Sequence, residues 1–132
     1  MNTPLLATGS VFVGLAVLFH LYIFSLESIT WTRPRTWRIF GLTSQAEADT
    51  VRPMAFNQGF YNLFLAIGAA VGLAILAIDL SAGIALVLFG AGSMLLAALV
   101  LFLSSKVNRR SALIQGLPPL VGLVFVLLAA VA

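Results

Sequence analysis

The chain has 132 residues, 61% of them hydrophobic and 8% charged, with a formal net charge of +3 and no cysteine. A soluble domain carries about a quarter of its residues charged, so this composition excludes a soluble globular fold, and the length allows one domain. Disulfides, thiolate nucleophiles and cysteine metal sites are absent. The basic residues flank apolar runs, where topology and lipid headgroups account for them without nucleic acid.

Four apolar stretches cover residues 4–26, 54–78, 82–103 and 112–131, each about long enough to cross a bilayer. A β-barrel would alternate in polarity over segments of roughly ten residues. These runs are unbroken, so the reading is all-α: an integral membrane four-helix bundle. The first stretch has no Lys or Arg before it and ends in Phe24-Ser25-Leu26-Glu27, without the small residues of a cleavage site. It is expected to be retained as helix one. Its polar residues are His20 and Glu27, close to two helical turns apart and on one face, with Phe24 between them and Trp31 extending that face.

Residues 27–53 form the longer loop. Within it, Ser44-Gln45-Ala46-Glu47 is a capping box, which predicts a short helix near 44–52. Pro53 is expected to kink its junction with helix two. Helix two carries Asn57, Gln58, Tyr61 and Asn62 near its start, in two adjacent stripes one turn apart. Gly68 and Gly72 form a small-xxx-small pattern for close packing. The turn Asp79-Leu80-Ser81-Ala82-Gly83 is tight, so helices two and three are expected to form an antiparallel hairpin. Helix four carries Gln115 followed by Pro118-Pro119, and Pro119 leaves a carbonyl near Gln115 without its helical donor.

All seven Lys and Arg lie in two loops: Arg33, Arg35, Arg38 and Arg52 after helix one, and Lys106, Arg109 and Arg110 after helix three. In an even-span bundle these loops share one side. By the positive-inside rule that side is cytoplasmic and both termini are extracytoplasmic, in a multi-pass protein of the cytoplasmic (inner) membrane. Counted at about 1.5 Å per residue, the polar groups then fall in the cytoplasmic half. The expectation is a one-sided polar pocket rather than a channel, which would need polar lining in both halves.

The residues also carry a likeness. His20-Leu21-Tyr22-Ile23, Leu26-Glu27, Trp31 with Arg33-Pro34-Arg35, Phe40-Gly41-Leu42, Asn57-Gln58-Gly59 with Tyr61-Asn62, and Gln115-Gly116-Leu117-Pro118 stand in order along the chain. In these the chain resembles the small bacterial and fungal membrane proteins catalogued as domain of unknown function thirteen-oh-four. The resemblance covers nearly the whole chain. It implies four membrane spans and implies that His20, Glu27, Asn57, Gln58, Tyr61, Asn62 and Gln115 are signature positions. It implies no activity.

The expected ligand-binding set is His20, Glu27, Trp31, Asn57, Gln58, Tyr61, Asn62 and Gln115, rimmed by Tyr22, Trp37 and several Phe. A pocket beside the bilayer with that lining suits a small amphiphilic or lipid-like molecule, bound or transported. Two other readings stand beside it. One is a membrane enzyme with His20 as acid–base and Glu27 orienting it. The other is a structural or accessory subunit, with His20 and the amides as interhelical glue and Glu27 paired to Arg33 or Arg35. No cofactor is expected, and no metal, since a single His without cysteine makes no usual metal set. Membrane lipid is the expected surrounding partner. Transport by so small a protomer would call for a homodimer.

The charge pattern generates the first prediction. Reporters fused to either terminus should be active only when exported, and a reporter placed in either basic loop only when cytoplasmic. A C-terminal fusion active in the cytoplasm overturns the assignment.

Overall fold

The computed structural model describes residues 2–132. Helix α1 spans Thr3–Phe24 and passes into a single π-helical turn, Ser25–Ile29. A short α2, Pro34–Ile39, follows, then α3, Gln45–Ile75, α4, Leu80–Ser104, and α5, Arg109–Val131. Four helices are long and apolar enough to cross a membrane: α1 with its π-turn, α3, α4 and α5. The chain is a multi-pass membrane protein.

The four long helices form a ring. Helix α1 packs against α3 and α5, α4 packs against the same two, and α1 and α4 face each other across the diagonal. Both basic loops lie at one end, the loop end. The termini and the short α3–α4 turn lie at the other, where the Asn2 amide donates to the Ala129 carbonyl over 3.1 Å.

Lipid gives apolar helices no hydrophobic reason to associate, so close contact between small residues has to hold them together. The helices meet backbone to backbone. A Cβ on Gly9 would lie 3.0 Å from the Gly122 carbonyl, and a Cβ on Gly122 would lie 2.9 Å from the Val13 nitrogen. The α3–α4 hairpin closes along Gly72, Gly83 and Gly90, which abut Val87, Leu76 and Ala69. The expected pairing of Gly68 with Gly72 is only half correct, because nothing lies within 4 Å of a Cβ on Gly68. Ala69, on the side of α3 that faces α4, takes that role. Between these seams Val13, Ala16, Ala66, Val87, Ala91, Met94 and Val126 make a dry core in the half of the bundle nearer the termini.

The first loop is more ordered than its sequence indicates. Helix α3 is continuous through Pro53, so the expected short helix and helix two are one element of 31 residues. At about 1.5 Å per residue it is roughly 46 Å long, against a hydrocarbon core of about 30 Å. Its first turns therefore stand clear of the bilayer, where water can meet the Asp49 carbonyl that Pro53 leaves without a donor. Ser44 caps the helix, accepting from the Glu47 amide over 3.2 Å. The Glu47 carboxylate reaches back past the cap and accepts from the Thr43 amide at 2.9 Å and the Thr43 hydroxyl at 3.0 Å. A small second core of Trp31, Trp37, Ala48 and Ala55, with Phe40, Leu42 and Val51 against it, holds α2 on the start of α3.

Gly122→Ala should destabilise the fold by about 1–3 kcal/mol, because its methyl group meets backbone that cannot step aside. Gly68→Ala should leave stability unchanged. Thermal unfolding of both variants in detergent checks the pair; equal transitions would contradict the α1–α5 seam.

Candidate functional site

At the loop end the ring opens into a cavity of 390 Å³. Its polar wall is built from His20 and Glu27 of the first span, Gln58 and Asn62 of α3, and Ser111 and Gln115 of α5. Its apolar wall includes Phe19, Ile23, Leu26, Phe40, Leu101 and Ile114. No Lys or Arg lines it. Toward the termini the dry core closes it off.

The π-turn is what aims Glu27. Five residues per hydrogen-bonded step, with the Thr30 amide donating to the Ser25 carbonyl at 2.9 Å, replace the ordinary four. The turn presses on α3 at Gly59, where a Cβ would strike the Ser28 hydroxyl and stand 3.1 Å from the Glu27 Cβ. Glycine in the Asn57-Gln58-Gly59 run is therefore a packing requirement. The Ser28 hydroxyl donates to the Phe56 carbonyl over 2.9 Å and locks the approach. Glu27, 8% exposed, then accepts from the Asn62 amide group at 2.8 Å. The same nitrogen donates to the Gln58 carbonyl at 3.1 Å, which fixes the orientation of the Asn62 amide, since both of its partners are acceptors.

His20 is 2% exposed. Its Nδ1 lies 2.9 Å from the Ala16 carbonyl. A carbonyl only accepts, so Nδ1 carries the proton and the neutral ring presents Nε2 as an acceptor. Every fully enclosed side-chain nitrogen or oxygen among the described residues has a partner. His20 Nε2, Glu27 Oε1 and Asn62 Oδ1 have no partner among the described residues, so each keeps some accessible surface, and all three residues line the cavity. Two expected relations are corrected here. Glu27 does not orient His20: the imidazole is held by Ala16 and the carboxylate by Asn62. Nor is Glu27 paired with Arg33 or Arg35; no basic side chain meets it among the described residues.

His20, Glu27, Gln58, Asn62 and Gln115 share the cavity; Trp31, Asn57 and Tyr61 do not line it. The Trp31 indole donates to the Ala48 carbonyl at 2.9 Å and belongs to the small core, as Trp37 does. Asn57 is exposed, and Tyr61, at 64%, faces outward. The two stripes of α3 thus separate, one inward and one outward. Sequence reasoning missed Ser111, Asn108, and Ile39 and Phe40 at the end of α2. The signal that could have found α2 is Pro34, whose fixed φ and missing N–H suit the first position of a helix. The prolines of α5 matter here too, because the carbonyls left without helical donors by Pro118 and Pro119 are those of Ile114 and Gln115, both cavity residues.

The model of the family described as "Protein of unknown function (DUF1304)" matches residues 14–127. The chain belongs to the DUF1304 family. The match runs from the middle of the first span almost to the end of α5 and includes every cavity residue. No curated protein and no solved structure matches this DUF1304 chain. No group of three His, Cys, Asp or Glu comes together among its described residues.

Asn62→Ala should cost about 1–3 kcal/mol, because it strips the Glu27 carboxylate of its hydrogen bond in a buried position. Asn57→Ala should cost nothing measurable. Denaturation of the two variants side by side in the same detergent tests this; equal losses would mean that the Glu27–Asn62 bond is not holding α1 to α3.

Proposed function

We propose that this protein binds a small amphiphilic, lipid-like molecule in the loop-end cavity. The observation that carries the reading is the division of the cavity lining between polar side chains, His20, Glu27, Asn62 and Gln115, and apolar ones, among them Phe19, Leu26, Leu101 and Ile114. A molecule with a polar head and a hydrocarbon body matches that division, and 390 Å³ falls within the range of about 300–1,000 Å³ common for small-ligand sites. Open polar atoms beside hydrocarbon are costly, and membrane proteins retain them where they meet a ligand or a polar path.

In this reading the basic loops are cytoplasmic, the termini lie outside, and the cavity opens at the inner leaflet of the cytoplasmic membrane. The dry core of Val13, Ala66, Val87, Met94 and Val126 blocks passage through one protomer, which favours binding over transport. Carriage across the bilayer would draw on a second copy. The acid–base reading is weakened because His20 and Glu27 are held by different partners.

The test is mass spectrometry of what the purified protein retains in native-lipid nanodiscs. The wild type should retain an amphiphile enriched over the bulk membrane. His20→Gln should remain folded and monodisperse while its affinity for that molecule falls about tenfold, the loss of roughly one good hydrogen bond. A wild type with no enriched molecule, or a His20→Gln variant that retains it equally, overturns the reading.

A further inference from the structure

The partners already committed inside the cavity define what its ligand must offer. Asn62 spends its amide hydrogens on Glu27 and the Gln58 carbonyl, at 2.8 and 3.1 Å, leaving Oδ1. His20 spends Nδ1–H on Ala16, leaving Nε2 with a lone pair. Glu27 keeps Oε1, which in a carboxylate only accepts. The three deepest polar side chains, exposed by 2%, 8% and 9%, thus face the cavity as acceptors. Gln58, Gln115 and Ser111 serve as donors or acceptors and impose no sign. Glu27 is the one formally charged residue in the lining. It has no cation opposite it, although seven Lys and Arg stand in the adjoining loops.

Resting on the amphiphile reading, we propose that the head recognised in this cavity is a primary ammonium on a hydrocarbon body. An ammonium has three donors and no acceptor, and one positive charge. It brings donors to a lining whose most buried groups keep acceptors free, and supplies Glu27 with the opposite charge it lacks. A carboxylate, sulfate or phosphate set against the same group would be repelled by Glu27 and would find no donor on His20 Nε2 or Asn62 Oδ1. A buried carboxylate with no cation is expensive, and pairing within a low-dielectric pocket makes the charge-assisted bonds strong. The apolar residues Phe19, Leu26 and Ile114 would hold the chain of the same molecule. Two sources share this chemistry: a free long-chain amine and an aminophospholipid such as phosphatidylethanolamine.

The test uses the 132-residue chain in phosphatidylcholine nanodiscs, titrated with decylammonium, decanol and decanoate, with vesicle-matched blanks for partitioning. Decylammonium should bind saturably and raise the unfolding temperature, and the other two should not. Glu27→Gln keeps an acceptor for Asn62 but removes the charge, and should weaken decylammonium binding about 30-fold or more. Replacing part of the phosphatidylcholine with phosphatidylethanolamine separates the sources. Competition with decylammonium assigns the lipid, and undiminished binding assigns a free amine; either supports the ammonium head. Decanol or decanoate binding as tightly as decylammonium overturns the ammonium head while leaving the amphiphile reading standing. Saturable binding of none of the three overturns both. The headgroup series on the wild type decides the matter even if Glu27→Gln fails to fold.

Discussion

Hydrocarbon offers a polar group no partner, and the arrangement of this protein follows from that one constraint. Each buried polar side chain must find a bond within the bundle, reach a cavity, or stay out of the membrane. In the half nearer the termini there is almost nothing polar to satisfy, and Val13, Ala16, Ala91, Met94 and Val126 close on one another. In the other half His20, Glu27 and Asn62 are held by Ala16, by each other and by the Gln58 carbonyl, with one atom of each left over. The division of the bundle into a dry half and a cavity half is a division of its polar residues.

Bringing those groups together requires close backbone approach, which side chains of ordinary size would prevent. Gly59 admits the π-turn that carries Glu27 toward Asn62. Gly9 and Gly122 pin α1 to α5 near the termini. Gly116 admits Ala98 of α4 beside the cavity wall. With both ends of the ring held, α1 and α4 are left facing each other across the space that becomes the cavity. The same small residues that hold the bundle in lipid, where hydrophobic attraction between helices is lost, also set the volume of the site.

The cap at the loop end extends this design beyond the bilayer. Trp31 and Trp37 are anchored through their indole N–H groups, to the Ala48 carbonyl and to the Gln45 side chain at 3.3 Å. This seats α2 so that Ile39 and Phe40 line the cavity. Two arginines of the basic loops have local partners: Arg109 donates to the Phe102 carbonyl at 3.2 Å and lies over the Phe102 ring, and Arg38 lies over Trp37. Their charge thus stays on the rim, and the cavity lining keeps the sign of Glu27.

The number of spans, the pairing of the two basic loops at one end, the hairpin at Asp79 and the confinement of polar residues to one half were all legible in the chain. They depend on composition and on distance along a helix, which a sequence records directly. That the capping-box helix joins helix two through Pro53 was expected as a kinked junction; that the two form one element of 31 residues is decided in the structure. The inward turn of Asn62 and the outward turn of Tyr61 were hidden: one neighbouring turn of helix offers both, and the choice belongs to the helix that packs there. The π-turn is the clearest case. A helical count placed His20 and Glu27 on one face as partners, but one widened turn against Gly59 gives Glu27 to Asn62 and leaves His20 with Ala16. Which polar groups exist and at what depth is a property of the sequence. Which of them meet, and which atoms they leave free, depends on the azimuth of each helix, and only contact between helices sets that.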